Sequence, residues 1–107
     1  MKLLTTLLLL CLSINSIAQV CFSARVKYQV GINPSSICHA DFNGDSIEDL
    51  AIANRIGSVS ILLGTGSGTF GAGHDFPSGV TPYSICSADF NNDSYMDLAV
   101  VITFFKQ

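Results

Sequence analysis

The sequence predicts an all-β chain of four-stranded antiparallel repeats, of which about one and a half are present. Three observations lead there. The acidic segment Asp41-Phe42-Asn43-Gly44-Asp45-Ser46-Ile47-Glu48-Asp49 returns 48 positions later as Asp89-Phe90-Asn91-Asn92-Asp93-Ser94-Tyr95-Met96-Asp97. The segments between the two copies are short, apolar or alternating at period two, and bounded by Gly and Asn. No segment after the N-terminal apolar run carries a helical period.

The elements follow in chain order. Residues 1–18 read as a secretory signal peptide: Lys2 is a positive start, Leu3 to Leu12 an apolar run, and Ser16-Ile17-Ala18 a small-x-small cleavage site. That run is too short to span a bilayer comfortably, and no later stretch is long enough, so no transmembrane segment is expected once the leader is cleaved. Residues 19–27 form a lead-in, residues 28–75 the first repeat and residues 76–107 a partial second. Similarity begins at Tyr28/Phe76, passes through Gly31/Gly79, Pro34/Pro82 and Ser36-Ile37-Cys38/Ser84-Ile85-Cys86, and ends in Leu50-Ala51-Ile52/Leu98-Ala99-Val100. Within the first unit, Leu50 to Ala53 is a short apolar strand and Asn54 to Gly57 a turn. Ser58 to Leu62 is a half-buried strand, Gly64 to Gly68 a second turn, and Thr69 to Phe76 a last strand candidate. A four-strand unit with a period in the forties is the signature of a propeller blade.

Charge and cysteines narrow the function classes. Six of the eight acids are aspartates in the two acidic segments, and loss of Lys2 with the leader takes the formal charge from −3 to −4. Two divalent cations would neutralise that. The few scattered basic residues give no footprint for nucleic acid. Cys21, Cys38 and Cys86 remain after the leader. Cys38 and Cys86 occupy matching repeat positions, where Cα atoms are usually too far apart for a disulfide, so both are expected to act as small buried hydrophobes.

The acidic segments carry the chemistry. Oxygen donors at positions 1, 3, 5 and 9 of a tight loop suit a hard cation, Ca²⁺ before Mg²⁺, and favour it over zinc or copper. Spacing assigns Asp41, Asn43, Asp45, the Ile47 carbonyl and Asp49 to one site. It assigns Asp89, Asn91, Asp93, the Tyr95 carbonyl and Asp97 to the other. An EF-hand is excluded, because its twelfth position would need Glu and here is Ile52 or Val100. The plain alternative is an Asx-rich turn without an ion. Phe42 and Phe90 are expected to anchor their loops by packing inward. Glu48 is expected to be solvated. His39, His74 and Asp75 have no spacing that converges them on a substrate, so no catalytic residue is assigned and the segment is expected not to be an enzyme.

The run Gly31…Pro34-Ser35-Ser36-Ile37…Ala40-Asp41-Phe42-Asn43-Gly44-Asp45…Asp49-Leu50-Ala51-Ile52-Ala53-Asn54 resembles an FG-GAP/VCBS repeat. So does Ser58-Val59-Ser60-Ile61-Leu62-Leu63-Gly64…Gly68-Thr69-Phe70-Gly71. The resemblance covers roughly Tyr28 to Ile102. It implies blades like those of integrin α-subunit propellers, with calcium in a loop of this type. It also implies a secreted or cell-surface module for adhesion or recognition, with an extracellular protein or glycan as partner. The alternative is a piece of a propeller domain belonging to a larger secreted enzyme. Self-association of several copies is a further way to complete a propeller. The family usually has Gly at the sixth loop position, where this chain has Ser46 and Ser94. If that position needs positive φ, serine fits it less well.

Overall fold

A computed structural model describes residues 25–104; the expected signal peptide of residues 1–18, Cys21 and the last three residues lie outside it. Six strands run in order: β1 (Pro34–Ala40), β2 (Asp49–Asn54), β3 (Ser58–Leu62), β4 (His74–Pro77), β5 (Pro82–Ala88) and β6 (Asp97–Ile102). Strands β1 to β4 form one antiparallel sheet in sequence order, and β5 and β6 form a second, two-stranded sheet. Among the described residues no helix is long and apolar enough to cross a membrane.

The first sheet is a meander of tight connections. The β1–β2 link is the acidic loop. The β2–β3 link is a short turn closed by Gly57 at φ 77°, a left-handed conformation that glycine adopts without penalty. The link from β3 to β4 differs from the sequence expectation. Thr69 and Phe70 do not begin the last strand: Phe70 makes an isolated bridge back to Gly64. Thr65 N–H donates to the Thr69 carbonyl at 3.0 Å, and Gly71 N–H to that of Leu63 at 2.8 Å. The resulting small hairpin delays β4 until His74. The segment before β1 then crosses its base, where Tyr28 meets Phe70 edge-on with ring centroids 5.6 Å apart.

Register sorts the side chains onto two faces. Cys38 pairs with Ala51, and Ala53 with Val59, on the face turned toward β5–β6. Ile37 pairs with Ile52, and Ile52 with Ser60, on the opposite face. The opposite face holds a polar cluster: Asn54 Nδ2 donates to Ser58 Oγ at 3.0 Å and to Ser60 Oγ at 2.8 Å. Ser60 in turn bonds Asp75, and Gly31 N–H donates to Ser60 Oγ at 3.0 Å. Both Asn54 and Ser60 are fully buried, and these bonds offset the cost of taking Asn54 Nδ2 and the Ser60 hydroxyl out of water, while Asn54 Oδ1 has no partner among the described residues.

The main core lies between the two sheets. Ala51, Ala53 and Val59 meet Ile85, with Cys38, Phe42, Ile61, Leu98 and Val100 packed around them. The inner strands β1 and β5 lie side by side without a main-chain ladder; hydroxyls join them instead. Ser35 Oγ donates to the Tyr83 carbonyl at 3.1 Å, Ile85 N–H to Ser36 Oγ at 3.3 Å, and Ser87 Oγ to the His39 carbonyl at 3.0 Å.

The cysteines part ways. Cys38 packs on this core, and burial pushes its thiol up, against a lowering bond from Ser87 and a further rise from Cys86. Cys86 is exposed, contrary to the expectation that both are buried, because its face of β5 has no sheet against it among the described residues. Both are free.

Ile85 is 5% exposed at the centre of the contact between sheets. Ile85→Ala is therefore expected to destabilise the fold by about 2–4 kcal/mol, read as a lower midpoint in urea denaturation at unchanged calcium.

Candidate metal centre

Each acidic loop starts where an inner strand ends. After Ala40 the chain leaves the sheet, and it re-enters at Asp49, the first residue of β2. In between, side-chain oxygens take up the loop's backbone donors. Asp41 Oδ1 accepts from Gly44 N–H at 2.8 Å and Asp45 N–H at 3.2 Å, and its Oδ2 accepts from Ser46 N–H at 2.7 Å. Asn43 Oδ1 accepts from Asp45 N–H at 3.3 Å, and Asp45 Oδ1 from Ile47 N–H at 3.0 Å. Burial pulls the Asp41 carboxyl upward, but backbone donors from Ser46, Gly44, Asp45 and Asn43 outweigh it and hold the group below its ordinary range.

Asp49 is the fixed point of the loop. It is fully buried, and each of its oxygens takes one amide: Phe42 N–H at 2.9 Å on Oδ2 and Gly64 N–H at 2.8 Å on Oδ1. The Phe42 bond closes the loop on itself. The Gly64 bond ties it to the exit of β3. Only glycine fits there, since a Cβ on residue 64 would collide with the Glu48 carbonyl oxygen.

The second loop repeats the pattern. Asp89 accepts from Asp93 N–H at 3.1 Å and Ser94 N–H at 2.8 Å, Asp93 Oδ1 from Tyr95 N–H at 2.9 Å, and Asp97 Oδ2 from Phe90 N–H at 3.0 Å. Asn91 Oδ1 accepts from Asp93 N–H at 3.3 Å. The counterpart of Gly64 would be residue 112, past the given sequence, and Asp97 is only half-buried.

In each loop the three carboxylates converge. Oxygens of Asp41, Asp45 and Asp49 lie within 4.8 Å of one another, and so do those of Asp89, Asp93 and Asp97. Oxygens at about 2.4 Å from one ion lie no more than about 4.8 Å apart, so both clusters have the size of a calcium shell. The donors are all oxygen and the clustered groups are acidic, which suits a hard divalent cation. Asn43 and Asn91 sit in the same loops and accept from the backbone amide of the second carboxylate, Asp45 or Asp93.

The remaining candidates stay outside. His39 Nδ1 lies 2.8 Å from Glu48 Oε2 with both side chains largely in solvent, so the pair forms part of neither cluster. Phe42 packs on the core as expected, whereas Phe90 is 57% exposed, with no sheet against it among the described residues. Gly64 and the Asn54–Ser60–Asp75 cluster are the residues that sequence reasoning misses. In the sequence Gly64 is one of several turn glycines, and no spacing rule links it to a carboxylate 15 positions earlier.

Ser46 at φ 65° and Ser94 at φ 71° take the left-handed conformation at the sixth loop position, so the condition under which serine fits less well than glycine is met. The fourth position is left-handed too, at Gly44 (φ 78°) and Asn92 (φ 60°), residue types that tolerate it. Ser46→Gly and Ser94→Gly are each expected to stabilise the loop by about 0.5–1 kcal/mol, the left-handed penalty less glycine's added freedom. A higher thermal midpoint, largest in the double variant, is the readout.

The comparisons agree with this geometry. Residues 41–100, from the first aspartate of the first loop to the middle of β6, match the family described as FG-GAP-like repeat. No curated protein and no solved structure matches the chain. The matched segment is more than half of the sequence and contains both acidic loops, and on that ground the chain belongs to the FG-GAP-like repeat family.

Proposed function

We propose that this chain is an exported, non-enzymatic calcium-binding repeat module that recognises an extracellular protein or glycan. The observation that carries the reading is the pair of convergent aspartate clusters, each within 4.8 Å, at equivalent places in two repeats. Repeats of this family commonly bind Ca²⁺ and are typical of extracellular or cell-surface proteins. The sequence pattern of residues 1–18 supports export.

The ligand set completes the clusters with neutral oxygens. Asp41, Asn43, Asp45 and Asp49 supply side chains and Ile47 a carbonyl; Asp89, Asn91, Asp93, Asp97 and the Tyr95 carbonyl do the same in the second loop. The ion would relieve repulsion among three carboxylates. It would also rigidify a connection that otherwise rests on Asx-type bonds. Because Asp49 starts β2 and grips Gly64, order in the first loop passes directly to the sheet. The clustered acids are then committed to cations, and none remains paired for general acid–base chemistry.

Calorimetric titration should show two calcium-binding events, the tighter at the first loop, where Asp49 is held by two amides. Asp45→Ala should weaken that event by about tenfold or more, and Asp93→Ala should act likewise on the second. Unchanged binding in the double variant would remove the site assignment.

Partner binding should follow calcium. On a glycan or surface-protein array, signal present in calcium and lost in chelator is the expected outcome. Binding indifferent to chelator, or turnover of a substrate by the chain itself, would contradict the reading.

A further inference from the structure

The first acidic loop contains the sequence's only asparagine–glycine pair, Asn43-Gly44, and both residues are exposed. In such a pair the backbone nitrogen of the second residue can attack the side-chain amide carbon of the first. Glycine obstructs this attack least, since it has no Cβ. At φ 78° Gly44 also has open space where a Cβ would stand. The second loop has Asn91-Asn92 at the same positions, so the two loops differ at the residue that supplies the nucleophile.

Hydrogen bonds arrange the reacting groups. Asn43 Oδ1 accepts from Asp45 N–H at 3.3 Å, a proton it shares with Asp41 Oδ1 at 3.2 Å. That bond curls the Asn43 side chain back over the Gly44 peptide. It also places a donor at the oxygen on which negative charge develops during attack. Gly44 N–H donates to Asp41 Oδ1 at 2.8 Å, and this charge-assisted bond pushes electron density onto the attacking nitrogen. The second loop keeps only the first of these bonds. Asn91 Oδ1 accepts from Asp93 N–H at 3.3 Å, but Asp89 accepts from Asp93 and Ser94 and not from Asn92. Asn91 Nδ2, the nitrogen that would leave, is tied to Asp93 Oδ2 at 3.2 Å, whereas among the described residues no bond holds Asn43 Nδ2.

We propose that Asn43-Gly44 is a site of self-modification in the folded chain, and that Asn91-Asn92 is not. The Gly44 nitrogen bonds to Asn43 Cγ and closes a five-membered succinimide. The bond from Cγ to Nδ2 breaks, and that nitrogen takes up the proton lost by Gly44 and leaves as ammonia. Water then opens the ring at either carbonyl, which gives aspartate or isoaspartate at residue 43. The only co-reactant is water, and it reaches the site because the pair is exposed. Aspartate adds a fourth carboxylate to Asp41, Asp45 and Asp49, and isoaspartate lengthens the main chain inside the loop. Either product alters the first loop permanently and leaves the second as it was. The chemistry is independent of the calcium reading; only its consequence for cation binding rests on it.

The test is peptide mass mapping of residues 43 and 91 after incubation of the natively processed chain in chelator, folded in buffer and unfolded in urea. Aspartate and isoaspartate should accumulate at residue 43 under both conditions, while residue 91 stays asparagine in the folded chain. Gly44→Asn gives the first loop the pair of the second, at a position with room for the side chain. It should bring conversion at residue 43 down to the level at residue 91, with circular dichroism checking the variant's fold. The comparison of residues 43 and 91 within the wild type stands even if that variant misfolds. Conversion of residue 43 in urea but not in the folded chain would mean that the loop shields the amide, and would overturn the proposal. Equal conversion at residues 43 and 91 in the folded chain, or undiminished conversion in folded Gly44→Asn, would overturn it as well.

Discussion

The buried carboxylate of Asp49 is the constraint on which the rest of the first repeat depends. Removing a carboxylate from water is costly unless its oxygens are bonded, and here each takes one backbone amide, from Phe42 and from Gly64. Those two amides lie on opposite sides of β2 in the chain, seven residues before Asp49 and fifteen after it. One side chain thereby fixes the start of the acidic loop, the first residue of β2 and the exit of β3 together. The same residue brings a third carboxylate to Asp41 and Asp45. The candidate cation site is therefore not an appendage: its deepest member belongs to the framework of the sheet.

The two repeats show what that framework needs around it. In the first, the exit of β3 supplies Gly64, the segment before β1 covers the far face, and β5–β6 covers the near one. In the second, the loop keeps its internal bonds and its left-handed serine, yet Asp97 is only half-buried and Phe90 stands in solvent. Local hydrogen bonds alone thus form the loop, while neighbouring strands decide how deeply it is anchored. Small residues decide how the sheets approach: Ala51 and Ala53 are fully buried opposite Ile85, and serine hydroxyls bridge inner strands that share no ladder.

Much of this was legible in the residues themselves. The doubled Asp-x-Asn-x-Asp-x-x-x-Asp spacing determined the loops and their clustered carboxylates, because a tight loop brings alternate side chains to its inside whatever surrounds it. The period-two pattern of Ser58 to Leu62 and the apolar Leu50 to Ala53 marked β2 and β3, since alternation reports a face directly. Only the tertiary structure decided the rest. The hairpin at Gly64 and Phe70 replaces the expected early start of β4, because glycines allow a local bridge there. Cys38 and Cys86 occupy identical repeat positions but differ in burial, and so do Phe42 and Phe90. A repeat in sequence sets which way a side chain points, whereas its burial depends on whether another sheet stands on that side, and no local pattern records that.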